Sequence, residues 1–300
     1  MSHPNPHISV CVCTFKRAAM LERLLRKVAA QRTDGNFTFE IVVCDNDEMG
    51  SGKAVVEKLT ELSAVPVQAV IQPIKNIALA RNTAISKASG EFIAFIDDDE
   101  FPDENWLLTL LTTILRTGVS GALGPVLPHF DQKPPQWVIK GRQFERPRHV
   151  TGFQLQWQEC RTGNVLFKRS ILKDESAPFR AEFGTGGEDQ DFFRRMVQTG
   201  ERFVWCDEAP VWETVPPERW DLKIMLSRAL LRGKNTLRHK DKMPINLAKS
   251  LLATPCYVLA LPIMALMGRH LLVRYLVRTC DHLGRLLAFV RLNPVDERVG

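Results

Sequence analysis

The chain has no apolar segment ahead of its first strand-like stretch: Met1 to His7 is short and polar, so no signal peptide is expected. It also lacks a disulfide framework. The seven cysteines (Cys11, Cys13, Cys44, Cys160, Cys206, Cys256 and Cys280) are odd in number and show no CxxC spacing. They are expected to be buried free thiols in a reducing, cytosolic setting. HExxH, GxSxG and spaced Cys/His patterns are absent, which excludes the usual zinc and serine hydrolase signatures. Gly50–Ser51–Gly52–Lys53 imitates a P-loop, but the motif's first glycine would fall at Asp47 and its hydroxyl position is Ala54. Gly184–Thr185–Gly186–Gly187 lacks the third glycine and the preceding strand of a dinucleotide fingerprint. Internal repeats and low-complexity tracts are missing as well.

What remains is an ordinary folded composition, 45% hydrophobic and 25% charged over 300 residues. The net charge of +6 hides an asymmetry: from Pro216 onward there are 15 Lys and Arg against 6 Asp and Glu, and before it 25 against 28. A near-neutral body with a basic tail suggests an anionic partner, either nucleic acid or a phospholipid surface. The tail's cations alternate with aliphatic rather than aromatic residues, and no nucleic-acid signature appears. The expected partner is therefore an anionic membrane surface, with no nucleic acid.

Strand-like stretches at Ile8 to Thr14, Phe39 to Cys44, Val67 to Ile71 and Glu91 to Ile96 alternate with helical periodicity. The helices fall near Leu21 to Val28, Lys53 to Leu62, Ile77 to Lys87 and Glu104 to Arg116. This alternation implies an α/β fold with a mostly parallel, doubly wound sheet flanked by helices. Pro128 to Gly152, rich in Pro, Lys and Arg, reads as a mobile loop beside the site. Further strands are expected within Glu159 to Arg169 and Arg202 to Cys206, and helices at Asp189 to Thr199 and Asp221 to Arg238. The division is a body of residues 1–240 and a basic, apolar helical tail of 241–300. Leu251 to Met267 is uncharged and at the lower limit for crossing a bilayer, and Pro255 and Pro262 would kink it. The next segment places Arg274, Arg278 and Arg285 between aliphatic residues, as in a helix lying in a membrane interface. A membrane-bound or re-entrant tail, packing on the body or in an oligomer, and a full span are the three readings.

The strand-like run ending at Ile96 stops in Asp97–Asp98–Asp99–Glu100. Four consecutive acids repel one another unless a cation offsets them. Hard divalent ions such as Mg²⁺ or Mn²⁺ take a few carboxylates and otherwise prefer water and phosphate. At the carboxyl end of a strand in an open α/β sheet, this favours a metal holding a nucleotide diphosphate over a solvated acidic turn. A second acidic centre, Glu188–Asp189–Gln190–Asp191, follows a glycine-rich stretch at a helix start. Helix capping accounts for one such acid better than for three.

In this order, several segments resemble family 2 glycosyltransferases of the GT-A fold, particularly bacterial exopolysaccharide enzymes of the succinoglycan glucosyltransferase type. They are Ser9 to Arg17, Val43 to Asn46, Asn76 to Ala88 with Ala80–Arg81–Asn82, Gly90 to Glu100, and Gly186–Gly187–Glu188–Asp189. One departure is Cys13, where relatives usually carry proline. The resemblance implies that Thr14 and Arg17 line the nucleotide pocket and that Asp45 accepts from the uracil N3–H. Arg81 would reach the base or the phosphates, though Arg17 and Arg81 also suit plain surface solvation. Asp97 would hold the ribose, Asp98 would belong to the nucleotide-sugar site, and Asp99 would bind the metal bridging the diphosphate. Asp189 would be the catalytic base, with Glu188 orienting the acceptor or serving as alternate base. Glu213 falls where many relatives place a third metal ligand. Asn164 and Trp212 would face the acceptor. Arg232 and Lys234 would meet pyrophosphate or the membrane.

The expected activity is an inverting transfer of sugar from a nucleotide-sugar donor, a UDP-hexose, to a lipid-linked saccharide. The expected place is the cytoplasmic side of the inner membrane. A glycoside hydrolase and a catalytically silent scaffold of a polysaccharide assembly complex are the rivals.

Overall fold

The computed structural model describes residues 5–173, 176–184, 186–236 and 243–292. Thr185 of the glycine-rich stretch, the expected helix end at Arg238, and residues 241–242 and 293–300 of the tail lie outside the described residues. The chain forms two compact units: Met1–Leu127 with Arg146–Glu213, and Pro128–Glu145 with Thr214–Gly300. The segment 128–145 joins the C-terminal part.

The first unit begins with β1 (His7–Thr14), α1 (Ala18–Ala29), β2 (Thr38–Asp45), α2 (Lys53–Leu62), β3 (Val67–Ile71), α3 (Ile77–Lys87) and β4 (Phe92–Ile96). It continues through β5 (Glu100–Pro102), α4 (Trp106–Thr117), β6 (Gly121–Leu123) and β7 (Val126–His129). After α5 (Gln136–Gly141), which belongs to the second unit, come β8 (Asn164–Lys168), α6 (Glu188–Gln198), β9 (Phe203–Trp205) and β10 (Val211–Thr214). The main sheet has the order β3-β2-β1-β4-β8-β6-β9. Its first four strands are parallel, as is the β6–β9 pair, while β8 runs antiparallel to both of its neighbours.

Strands buried on both faces need apolar residues at every position. In β1, Val10 and Val12 enter one hydrophobic layer with Leu21, Leu24, Leu25 and Val28 of α1 and Leu107, Leu110 and Ile114 of α4. Cys11 enters the other, with Ala80, Ala84 and Ile85 of α3 and Phe192, Phe193 and Met196 of α6. The α1 residues recur at i, i+3, i+4 and i+7, so one stripe of the helix faces the sheet. Asn76 begins α3: its Oδ1 accepts from the N–H groups of Ala78 (2.9 Å) and Leu79 (3.1 Å). Such a cap stabilises a helix by about 1 kcal/mol. A small sheet of order β5-β10-β7 accompanies the main one, and it sets Glu213 opposite Glu100 and Trp212 opposite Phe101.

The second unit contains α5, α7 (Leu222–Asn235), α8 (Met243–Met267) and α9 (Arg269–Phe289). Trp137, Val138, Met225 and Val273 make its core, with Phe130, Phe144, Trp220 and Val277 packed around them. The stretch expected to be a mobile loop is therefore anchored over Pro128–Glu145 by aromatic side chains. A six-residue helix is too short to reveal a period of 3.6, so the sequence pattern hides it. The α7 and α9 backbones approach closely at two glycines. A β-carbon on Gly233 would overlap the Asp281 carbonyl, and one on Gly284 the Leu230 carbonyl. Helix α8 runs through Pro255 and Pro262 and is long and apolar enough to cross a membrane by length and composition. Leu252, Leu259 and Leu266 on it are more than 70% exposed.

Candidate active site

Parallel pairing brings the carboxyl ends of β1, β2 and β4 to one edge of the sheet, with Thr14 in register with Asp45. Asp45 accepts from the backbone N–H of Asp47 at Oδ1 (3.0 Å) and of Gly52 at Oδ2 (2.6 Å). Asn46 closes the adjoining loop by donating to the Gln72 and Ile74 carbonyls and accepting from the Asn76 N–H.

Asp98 is buried, and both of its oxygens are engaged by the protein. Thr14 Oγ1 donates to Oδ2 (2.9 Å) and Arg17 Nη1 to Oδ1 (2.9 Å). Arg17 Nη1 also reaches Asp99 Oδ2 at 3.1 Å. Thr14, Arg17, Asp98 and Asp99 are thus one connected group in which Asp98 holds Thr14 and Arg17, and Arg17 reaches Asp99. Asp97 is half-exposed and lies 3.6 Å from Arg81 Nη2.

Arg81 bridges the two acidic centres. It projects from α3, is buried, pairs through Nη1 with Glu188 Oε1, and stands 5.7 Å from the Phe179 ring centroid. Burial raises the Glu188 pKa against the pull of Arg81, and Oε2 of Glu188 is buried without a hydrogen-bond partner. Asp189, the next residue, is half-buried in the first turn of α6 and accepts from the Gln190 N–H (2.7 Å). Gly186 and Gly187 precede it at φ 127° and 98°, a region that favours glycine.

Asp97, Asp99, Glu100 and Glu213 are near enough to act on one another's charge. Glu100 is buried, accepts from the Asp97 N–H (3.2 Å) and pairs in register with Glu213. Burial and the charges of Asp97 and Glu213 push the Asp99 pKa up to about 7 against the opposing effect of Arg17. Glu100 is raised by burial and the same neighbours. Arg146 Nη2 offsets part of the charge at Glu213 Oε2 (2.7 Å).

Oxygen donors with surplus negative charge fit a hard divalent cation. Among the described residues no three carboxylate, His or Cys side chains form a ready ligand set. Mg²⁺ needs only one or two carboxylates when substrate phosphates complete its shell. Asp99 and Glu213 are the residues that would hold it.

Three of the expected residues have partners within the protein. Asn164 is buried with its amide committed internally: Oδ1 accepts from Trp106 Nε1 (2.8 Å), and Nδ2 donates to the carbonyls of Pro125 (3.1 Å) and Ala209 (2.8 Å). It braces the edge and presents no group to an acceptor. Trp212 lies on the face of β10 opposite Glu213, because successive strand residues alternate, and it stacks on Phe101 at 6.0 Å. Arg232 pairs with Asp281 through Nε (3.1 Å) and Nη2 (3.2 Å) within the second unit.

Sequence reasoning misses Arg146, 67 residues from Glu213 in an aperiodic stretch. It also misses Gly163, where a β-carbon would stand 2.8 Å from Glu100 Oε1 and 3.2 Å from Asp97 Oδ2. An isolated glycine at a strand start is the faint signal that marks such a close approach.

Comparison with known proteins agrees with this geometry. Residues 9–175 match the profile of Glycosyl transferase family 2. The succinoglycan biosynthesis protein ExoM of Rhizobium meliloti is 31% identical over 99% of this chain and 97% of its own length. The Escherichia coli UDP-Glc:alpha-D-GlcNAc-diphosphoundecaprenol beta-1,3-glucosyltransferase WfgD is 33% identical over 47% of this chain and 53% of its own. Among solved structures, S. aureus TarS 1-349 in complex with UDP-GlcNAc superposes with a TM-score of 0.55 at 20% identity, covering 74% of this chain and 65% of that one. A profile match over more than half the chain, with full-length similarity to a relative, settles membership: the protein belongs to glycosyl transferase family 2 and is a glycosyltransferase of the GT-A fold.

Proposed function

We propose that the enzyme moves a hexose from a UDP-sugar to a hydroxyl of a lipid-linked saccharide, with inversion at the anomeric carbon, during synthesis of an exopolysaccharide or envelope glycan. The observation that carries this reading is the Asp97–Arg81–Glu188 connection between the acid-tipped strand and the start of α6. In the reaction, the acceptor oxygen attacks C1 from the side opposite the departing diphosphate and its proton passes to the Asp189 carboxylate. The C1–O bond breaks, and the electron pair leaves with the nucleotide diphosphate. A positioned carboxylate contributes about 10²–10⁴-fold to such a step. Asp45 accepts from the uracil N3–H, Thr14 and Arg17 line the nucleotide pocket, Asp97 holds the ribose, and Glu188 holds Arg81. A divalent ion held by Asp99 and Glu213 supplies charge neutralisation to the diphosphate when bound.

The acceptor assignment draws on the relative from Escherichia coli, whose substrate is diphosphoundecaprenol-linked, and on the second unit. Helix α8 is apolar and exposed, yet α9 carries Arg269, Arg274, Arg278, Asp281 and Arg285. These charges suit a hairpin lying in the cytoplasmic interface of the plasma membrane better than a span. Holding enzyme and acceptor on one surface raises their effective concentration. The test is sugar transfer by the full-length protein, with each UDP-hexose and a lipid-linked saccharide. Asp189→Asn is expected to lower kcat by about 10²–10⁴-fold at unchanged thermal stability. Undiminished transfer by that variant overturns the assignment of the base, and hydrolysis of a saccharide without nucleotide donor overturns the reaction class.

A further inference from the structure

The α8–α9 hairpin contains a polar cluster that the sugar-transfer chemistry does not use. Ser250 Oγ stands 3.0 Å from His282 Nδ1, and Arg285 Nη1 stands 3.1 Å from the same nitrogen. Arginine can only donate, so Nδ1 accepts, and the ring proton sits on Nε2. Arg285 Nε donates to Thr236 Oγ1 (3.0 Å), fixing the guanidinium, whereas its Nη2 makes no hydrogen bond among the described residues. Tyr257 stacks on His282 at 5.5 Å, and its hydroxyl accepts from Arg278 Nη1 (3.1 Å).

Arg278, His282 and Arg285 recur at helical spacing and share one face of α9. Asp281 is the single acid from Met243 to Phe289, and Arg232 already occupies it through two hydrogen bonds. Among the described residues, no carboxylate pairs with Arg278 or Arg285. Two uncompensated cations beside an exposed apolar helix call for an anion that tolerates an apolar neighbour. A lipid phosphate meets that description: its oxygens suit guanidinium forks, and its chains suit Leu251 and Val258, exposed apolar residues of α8 that follow Ser250 and Tyr257.

We propose that Arg278, Arg285 and His282, the last two braced by the buried Ser250, form a binding site for the exposed phosphate end, monoester or diphosphate, of a membrane lipid. This rests on the membrane-association part of the reading above and adds a defined headgroup to it. Diffuse attraction of a basic tail would respond to surface charge alone, whereas a built site responds to the headgroup.

The test measures binding of the full-length protein to phosphatidylcholine vesicles doped with phosphatidic acid, or with phosphatidylglycerol at equal surface charge. The expected result is about a tenfold preference for the exposed phosphomonoester, the size of one charge-assisted hydrogen bond. Arg278→Gln with Arg285→Gln removes that preference, while Lys223→Gln on α7 keeps it. Arg278 is exposed and does not brace the interior, so Arg278→Gln alone tests the site with folding intact and lowers the preference severalfold. Equal loss in Lys223→Gln, or no headgroup preference in the wild type, overturns the proposal. Thermal stabilisation by inorganic pyrophosphate without vesicle preference would make this a soluble-phosphate site and also overturn it. Sugar transfer by the wild type is scored separately. Headgroup preference in a protein that does not glycosylate lipid-linked saccharides keeps the site and refutes the acceptor.

Discussion

Arg81 and Glu188 are 107 residues apart in sequence, and they form an ion pair in which each side chain is 7% exposed. Breaking such a pair from one side strands a buried charge, at a cost of about 3–5 kcal/mol. Arg81→Met is therefore expected to destabilise strongly. Glu188→Gln costs less, because its amide oxygen still accepts from Arg81 and Asp97 at 3.6 Å still faces the guanidinium charge. The double variant Arg81→Met, Glu188→Leu should recover part of the loss. Urea unfolding midpoints give the order, and a double variant as unstable as Arg81→Met rules the explanation out.

Asp99 supplies a prediction of opposite sign in two buffers. Burial, Asp97 and Glu213 all disfavour its charge. Asp99→Asn should raise metal-free stability by an amount on the order of 1 kcal/mol. With Mg²⁺ or Mn²⁺ present, UDP at a hundredfold excess over its Kd should stabilise the wild type by about 2.7 kcal/mol and the variant far less. Thermal melts with and without chelator check both halves.

The crossing of α7 and α9 depends on Gly284, whose α-carbon faces the Leu230 carbonyl. Gly284→Ala should cost about 1–3 kcal/mol through overpacking and displace the helices. Faster proteolysis within residues 214–292 at unchanged UDP affinity is the expected outcome.

Glu40 should shape the acid limb of stability. Burial disfavours its charge, but the Ser9 hydroxyl (2.6 Å) and the Ser89 N–H and hydroxyl (both 2.7 Å) outweigh this and hold its pKa below the usual range. A depressed folded pKa gives stability that is present above the ordinary carboxylate value of about 4.3 and lost as pH falls through the folded value. Glu40→Gln should lose roughly 1–2 kcal/mol at neutral pH and show a shallower decline below pH ~4. Parallel wild-type and variant curves across that range would exclude the role.

Much of this architecture is legible because fully buried parallel strands and amphipathic helices write strong periods. Lys53–Leu62, Val67–Ile71 and Ile77–Lys87 appear where the pattern places them. Strand direction writes no period. The antiparallel course of β8 and the short β5–β10 pairing have no signature in composition, and both depend on distant partners.

The site follows the same rule. Asp97 to Asp99 and Glu188–Asp189 are visible as runs of charge that only a ligand or a buried cation makes tolerable. Asn164 misleads because a lone polar residue beside a glycine looks the same whether its amide meets a ligand or three internal partners. Arg146 is invisible for a related reason: one arginine among many becomes special only when the fold sets it against Glu213.

Asn76 does more than start a helix. Its backbone N–H is held by Asn46 at the exit of β2, its Oδ1 caps α3, and its Nδ2 donates to Ala181 in the segment leading to α6. Gly184 lies so close that a β-carbon there would overlap the Asn76 amide. One asparagine therefore serves as a gauge block between the loop that follows Asp45 and the segment that leads to Asp189. The spacing between these two segments is set by the length of a single side chain.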